Sequence, residues 1–211
     1  LDINKNSPRG KLRVANIYQA AQNYEEANKI YKEAIAIDST FAPAYRERAE
    51  MFMRFDKMKL AIQDWKKYLA LNSNVESRYR YANAMFAAKQ YCEVIEEVNT
   101  INQAGFRNFY TERMLAGSYA ECKSLENSAQ IGLDASDRFF TVVPAANINF
   151  IDYKIRGSLL MKLGKDSLGL LEWERAAGMN ENAAKELTLE IAKAYYKMKK
   201  YDKAIEMYLK R

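Results

Sequence analysis

The chain has 211 residues, of which 49% are hydrophobic and 28% charged, so it can form both a sizeable core and a charged surface. It contains no histidine, which removes the commonest general base, the commonest metal ligand and every nucleophile that depends on a neighbouring imidazole. We therefore expect no catalytic site, no cofactor and no metal.

The 33 basic and 27 acidic residues give a net charge of +6, which admits nucleic acid, an anionic membrane or an acidic peptide as partner. No apolar stretch approaches the roughly 20 residues that a membrane-spanning helix needs. The two cysteines, Cys92 and Cys122, cannot hold zinc without histidine partners. They would allow one disulfide, but we expect two ordinary thiols, and the redox compartment stays open.

The chain is organised as a repeat, because a small residue recurs about every 34 residues, at Ala15, Ala49, Ala82, Ala116, Gly157 and Ala192. A large apolar residue follows three positions later, at Tyr18, Phe52, Met85, Tyr119, Leu160 and Tyr195. A second small series contains Ala27, Ala61, Val94, Gly169 and Ala204, and four positions after it come Tyr31, Trp65, Val98, Trp173 and Tyr208.

This spacing predicts pairs of helices packed as hairpins, with small residues where the helices cross and large residues on one face. The fourth repeat is the least regular, with Gly132 and Ser136 at the corresponding positions of its second helix and extra residues near 124–130 and near 147. Gly and Pro are few, which also favours helices joined by short loops. We predict at least ten antiparallel helices and no β-sheet.

The repeat length and the order of small and aromatic positions resemble the tetratricopeptide repeat family over nearly the whole chain. The resemblance implies an all-α fold, a right-handed superhelical solenoid of antiparallel helix hairpins. We assign a single domain over 1–211, with a tail of a preceding repeat at 1–7 and repeats at 8–41, 42–74, 75–108, 109–149, 150–184 and 185–211.

The fifth repeat, with Asp152, Tyr153, Gly157 and the run 163–168, resembles repeat proteins of the Bacteroidetes. Such proteins often carry export signals, so this resemblance favours the periplasm, with the cytoplasm as the alternative.

In the tetratricopeptide family, the first helices of successive hairpins line a concave groove. The resemblance thus implies that the first three repeats bind a protein or peptide segment, through Asn16, Arg46, Met53, Arg54, Tyr79, Asn83 and Phe86. The amides would pair with the backbone of an extended peptide. The aromatic residues and the methionine would hold an apolar side chain, and the arginines would favour an acidic residue, less strongly because Glu50 lies between them.

One subset of the family grips the acidic tails of chaperones with a clamp of Lys, Asn and Arg. Asn16 fits this pattern, but Leu12, Glu47 and Glu76 do not, and two acids would repel a carboxylate tail. We therefore reject this interpretation.

Two other functions stay open. A nucleic-acid binder would use the basic cluster Lys193, Lys197, Lys199, Lys200 and Lys203 on phosphates, although Glu190 and Glu206 dilute that charge. A structural spacer in a larger assembly would leave the groove unoccupied. Asp134 and Asp137 lie one helical turn apart, and we interpret them as a solvated face rather than as paired catalytic carboxylates.

Overall fold

The structure, a computed structural model, describes residues 6–209, apart from the side chains of residues 125–127. Within that range the chain forms helices and no β-strand, as predicted. The α-helices are α1 (Pro8–Ala20), α2 (Tyr24–Ile37), α3 (Ala42–Arg54), α4 (Met58–Leu71), α5 (Val75–Ala87), α6 (Tyr91–Gln103), α7 (Phe109–Glu121), α8 (Ala129–Val142), α9 (Phe150–Lys162), α10 (Asp166–Met179), α11 (Glu181–Lys197) and α12 (Tyr201–Leu209). Most of the predicted N-terminal tail, residues 1–5, lies outside the described residues, as do 210–211.

The chain divides into two compact units, Leu1–Gln90 and Tyr91–Arg211, called here the first and the second unit. In the first unit, α1 packs against α2, α3 against α4, and α4 against α5. In the second unit, α6 packs against α7, and the pairs α7 and α8, α9 and α10, and α11 and α12 form further hairpins.

The small positions of the repeat are buried. Ala15, Ala49, Ala82 and Ala192 are fully buried, and Ala116 is 3% exposed. The large residues that follow Ala27 and Ala61 fill the hairpin interiors, since Tyr31 is fully buried and Trp65 is 1% exposed. The predicted arrangement of the hairpins is therefore confirmed.

A shared turn ends the first helix of most hairpins. Gln22, Asp56, Lys89 and Lys199 all have positive φ angles, between 55° and 61°. In each case the next residue donates its backbone N–H to a carbonyl five residues earlier, as in Asn23 to Tyr18 at 2.9 Å. This left-handed ending reverses the chain within three residues.

The fourth and sixth repeats differ from the regular pattern. The extra residues predicted near 124–130 and 147 form two 3-10 helices, Lys123–Ser128 and Ala145–Asn147. The last long helix, α11, begins at Glu181, four residues before the predicted start of the sixth repeat at 185. Its start is set by Asn180, whose side chain accepts a hydrogen bond from the backbone of Ala183 at 2.9 Å.

The expectation of two free thiols was wrong, because Cys92 and Cys122 form a disulfide with a Cα–Cα distance of 5.2 Å. Cys92 lies at the start of α6 and Cys122 directly after α7. Since α6 and α7 pack side by side with a short connection, these two ends meet although 30 positions separate them in sequence.

Candidate functional site

The seven predicted binding residues all lie in the first unit, on α1, α3 and α5. Asn16, Arg46 and Arg54 have exposed side chains, whereas Met53, Tyr79, Asn83 and Phe86 are half-buried. The starts of two of these helices are set by side-chain caps: Ser7 Oγ accepts from the backbone of Gly10 at 3.0 Å, and Asn74 Oδ1 accepts from that of Ser77 at 2.9 Å.

Tyr31 organises the polar end of this face, although we assigned it only to the core. Its hydroxyl lies 2.7 Å from Asn16 Oδ1 and 2.7 Å from Gln19 Oε1. Because a hydroxyl carries one proton, one amide accepts it and the other must turn its NH₂ group toward the same oxygen. Tyr31 therefore holds both amides of α1 in place.

Tyr31 also packs between α1 and α3, because it shares a buried apolar cluster with Ala15 and Met51. Burial raises the pKa of Tyr31 well above its usual value, the nearby Glu47 carboxylate raises it further, and Arg54 lowers it. The hydroxyl therefore stays protonated and remains a donor. We call Tyr31, Asn16, Gln19, Glu47 and Arg54 the Tyr31 cluster.

The two arginines of α3 have different surroundings. Arg46 Nη2 lies 2.5 Å from Glu47 Oε1, and this hydrogen bond raises the pKa of the already basic guanidinium. Glu50, which we expected to weaken the field of both arginines, instead pairs with Arg80 at 3.4 Å. Within residues 6–209, Arg54 forms no ion pair, so its charge is the less compensated of the two.

Met53 and the three residues of α5 supply the apolar part of the face. Met53 is half-buried, and its Sδ accepts a hydrogen bond from Nε1 of the buried Trp65 at 3.4 Å. Tyr79, Asn83 and Phe86 are spaced by four and three residues, which puts them on one side of α5.

A cavity of about 240 Å³ beside Arg46 contains residues that the sequence analysis missed, and it is lined by Arg46, Glu50, Trp65, Tyr68, Asn74, Glu76, Ser77 and Arg80. Of these, only Arg46 was predicted to bind. The spacing of Glu76 and Arg80, one helical turn apart, was a visible signal of a charged face, and the structure pairs them at 3.7 Å.

Several of the residues considered for nucleic-acid binding or catalysis form ion pairs within the second unit. Lys193 pairs with Glu190, and Lys197 with Asp166, both at 2.9 Å. Asp137 pairs with Arg156 at 2.9 Å. Within the described part of the chain, no group of three His, Cys, Asp or Glu residues is arranged to hold a metal ion.

None of the described helices is both long and apolar enough to cross a bilayer.

Comparison with known proteins finds similarity in structure only. No protein family matches the sequence, and no curated protein is significantly similar to it. The solved structure of YrrB, a tetratricopeptide repeat protein, superimposes with a TM-score of 0.68 at 15% identity over 84% of this chain and 89% of YrrB. MamA from Desulfovibrio magneticus gives 0.64 at 13% identity over 80% of this chain and 92% of MamA. PilF from Pseudomonas aeruginosa gives 0.59 at 17% identity over 96% and 89%, respectively.

The chain therefore has the tetratricopeptide repeat fold, in agreement with the resemblance read from its sequence.

Proposed function

We propose that the face formed by α1, α3 and α5 of the first unit binds an extended segment of another protein, and that the chain acts as a non-catalytic interaction scaffold. The observation that carries the proposal is the Tyr31 cluster, in which a buried hydroxyl orients two amides beside an arginine that has no ion-pair partner among the described residues.

The hydrogen-bonding capacity of the Tyr31 cluster exceeds what the chain itself uses. Each amide has two donors and an acceptor, and Tyr31 engages one atom of each. Arg54 adds five N–H donors in a planar fork. An extended peptide presents unpaired backbone N–H and C=O groups, which match these donors and acceptors without demanding a particular side chain.

The half-buried residues would add an apolar contact. Met53 rests on Trp65, and methionine adapts to side chains of varied shape. Tyr79 and Phe86 flank Asn83 on the same side of α5, and tyrosine is among the residues enriched at the energetic centres of interfaces. YrrB, which shares the fold at low identity, is described as having an unusual peptide-binding site, and this also favours a peptide as the ligand.

The test begins with affinity capture from the source organism, followed by titration of the captured partner against single variants. We expect Tyr79→Ala and Phe86→Ala each to weaken binding roughly thirtyfold, as loss of an aromatic anchor costs about 2 kcal/mol. Arg54→Ala should weaken it about tenfold. Lys59→Ala, on the exposed side of α4, is the charge-matched control and should leave affinity unchanged.

Unchanged affinity in all three variants, with loss only after Lys193→Ala and Lys197→Ala, would show that the site lies in the sixth repeat. Retention of random RNA in a gel shift that weakens steeply with salt would instead favour the nucleic-acid alternative.

A further inference from the structure

The second unit contains a cavity of about 630 Å³ between the start of α7 and the end of α8, and no predicted binding residue lines it. Its walls are Arg107, Asn108, Phe109, Glu112, Asp137, Arg138, Thr141 and Val142. It lies outside the α1–α3–α5 face, so nothing argued for that face bears on it.

One wall of this cavity is apolar. Phe109 is half-buried and packs on Phe139, with ring centroids 6.4 Å apart, and on Tyr110, at 4.1 Å. Val142, which lines the same cavity, leaves 59% of its surface exposed. A large apolar side chain placed between Phe109 and Val142 would remove both surfaces from water, which is favourable.

The other wall carries a buried carboxylate held by two exposed guanidinium groups. Glu112 is 2% exposed. Arg138 Nη2 lies 2.9 Å from Glu112 Oε2, and Arg107 Nε lies 3.3 Å from Glu112 Oε1. Oε1 is fully buried, yet it accepts no hydrogen bond within the described part of the chain.

The charges at the cavity do not balance. Two guanidiniums share the single carboxylate of Glu112, while the nearby Asp137 is paired with Arg156 at 2.9 Å. One positive charge is left at the rim, and both arginines have N–H donors beyond those that Glu112 uses. A second carboxylate between Arg107 and Arg138 would complete the pairing, and charge-assisted bonds of this kind are among the strongest polar contacts.

We propose that this cavity binds a segment of a partner protein in which an aspartate or glutamate stands beside a large apolar residue. The carboxylate bridges Arg107 and Arg138, and the apolar side chain lies between Phe109 and Val142. A free small molecule fits less well, since sites for such ligands bury most of the ligand, whereas both arginines and Val142 are exposed here.

The test uses selection of a random heptapeptide phage library on the full chain, followed by fluorescence anisotropy with the labelled consensus peptide. We expect the consensus to contain an acid within two residues of a large aliphatic or aromatic residue. Val142→Glu places a competing carboxylate in the cavity and should weaken binding at least about tenfold. Ile131→Glu is the matched control, because Ile131 is an exposed apolar residue of the same helix that does not line the cavity, and it should bind as the unmodified chain does.

A second variant tests the role of charge. Arg107→Gln leaves Glu112 paired with Arg138. It should weaken binding of the acidic peptide about tenfold, but should weaken binding of the same peptide with an amide in place of the acid less than about twofold. The proposal is overturned if no peptide is enriched, if the enriched peptides lack an acid, or if Val142→Glu and Ile131→Glu have the same effect. Peptides that respond only to Arg54→Ala or Phe86→Ala would also overturn it, while supporting the site proposed on the first unit.

Discussion

Gly157 and Gly169 lie directly against each other where α9 and α10 cross. A Cβ atom on Gly157 would come within 2.8 Å of the carbonyl oxygen of Gly169, and one on Gly169 within 2.9 Å of that of Gly157. The small positions of the fifth repeat are therefore set by the distance between two backbones, which only glycine permits.

This contact predicts that Gly169→Ala destabilises the protein. The added methyl group would also lie 3.1 Å from the backbone nitrogen of Met161, so the helices must separate, at a cost of about 1–3 kcal/mol. The gain in helix propensity offsets only about 1 kcal/mol of this. Gly178→Ala, in the same helix, meets nothing within 4 Å and should stabilise by up to about 1 kcal/mol. Urea denaturation of both variants checks this, and shifts of the same sign would contradict it.

The ion pair between Arg48 and Asp64 predicts a non-additive double variant. Arg48 Nε and Nη2 each lie 2.7 Å from a carboxylate oxygen of Asp64, which is 5% exposed. Arg48→Met alone should cost about 3–5 kcal/mol, because it leaves a buried charge without a partner. Adding Asp64→Leu should recover most of that loss. Free energies of unfolding for the two single variants and the double variant measure the coupling, and simple additivity would refute the prediction.

The disulfide between Cys92 and Cys122 predicts that protein prepared without reductant has no titratable thiol, even in denaturant. Closing a loop of this length stabilises by about 3–4 kcal/mol in the chain-entropy treatment, so reductant should lower the thermal midpoint. A variant with both cysteines changed to serine is the control, because its midpoint should not respond to reductant. Two thiols in the unreduced protein would contradict the structure. Such bonds persist mainly in oxidising compartments.

From the raised pKa of Tyr195 we predict that the protein loses stability at alkaline pH. Burial and the hydrogen bond to Glu174 raise this pKa to about 12, whereas the pKa of an unfolded tyrosine is about 10. Between these two pH values the folded state keeps a proton that the unfolded state releases. The contribution of Tyr195 to the free energy of unfolding is therefore fully present below a pH of about 10 and is lost as the pH rises to about 12. In Tyr195→Phe, the unfolding midpoint should be lower at neutral pH but fall less steeply across that window. Parallel curves for the two proteins would contradict the assignment.

Part of the candidate site could be predicted from the sequence. Asn16 and Arg54 follow from their positions in the repeat, because residues on the outer side of a helix can be counted from the buried anchor. The hydrogen-bond partner of Asn16 could not be predicted, since Tyr31 lies on another helix and has the spacing of a core residue. Glu50 shows the same limit, because it lies one helical turn after Arg46 but its ion-pair partner is Arg80, on α5.

The sequence by itself determined the hairpins, because the crossing of two adjacent helices depends on local spacing: small residues must stand where backbones approach, and large ones must fill the space beside them. Only the tertiary structure decided which side chains from different helices meet. The disulfide between Cys92 and Cys122 forms because the packing of α6 against α7 brings the start of α6 next to the end of α7. Likewise, Glu112 lies between Arg107 and Arg138 only because α8 brings Arg138 to the start of α7. Such contacts depend on the register between helices, which a repeat pattern within one helix does not specify.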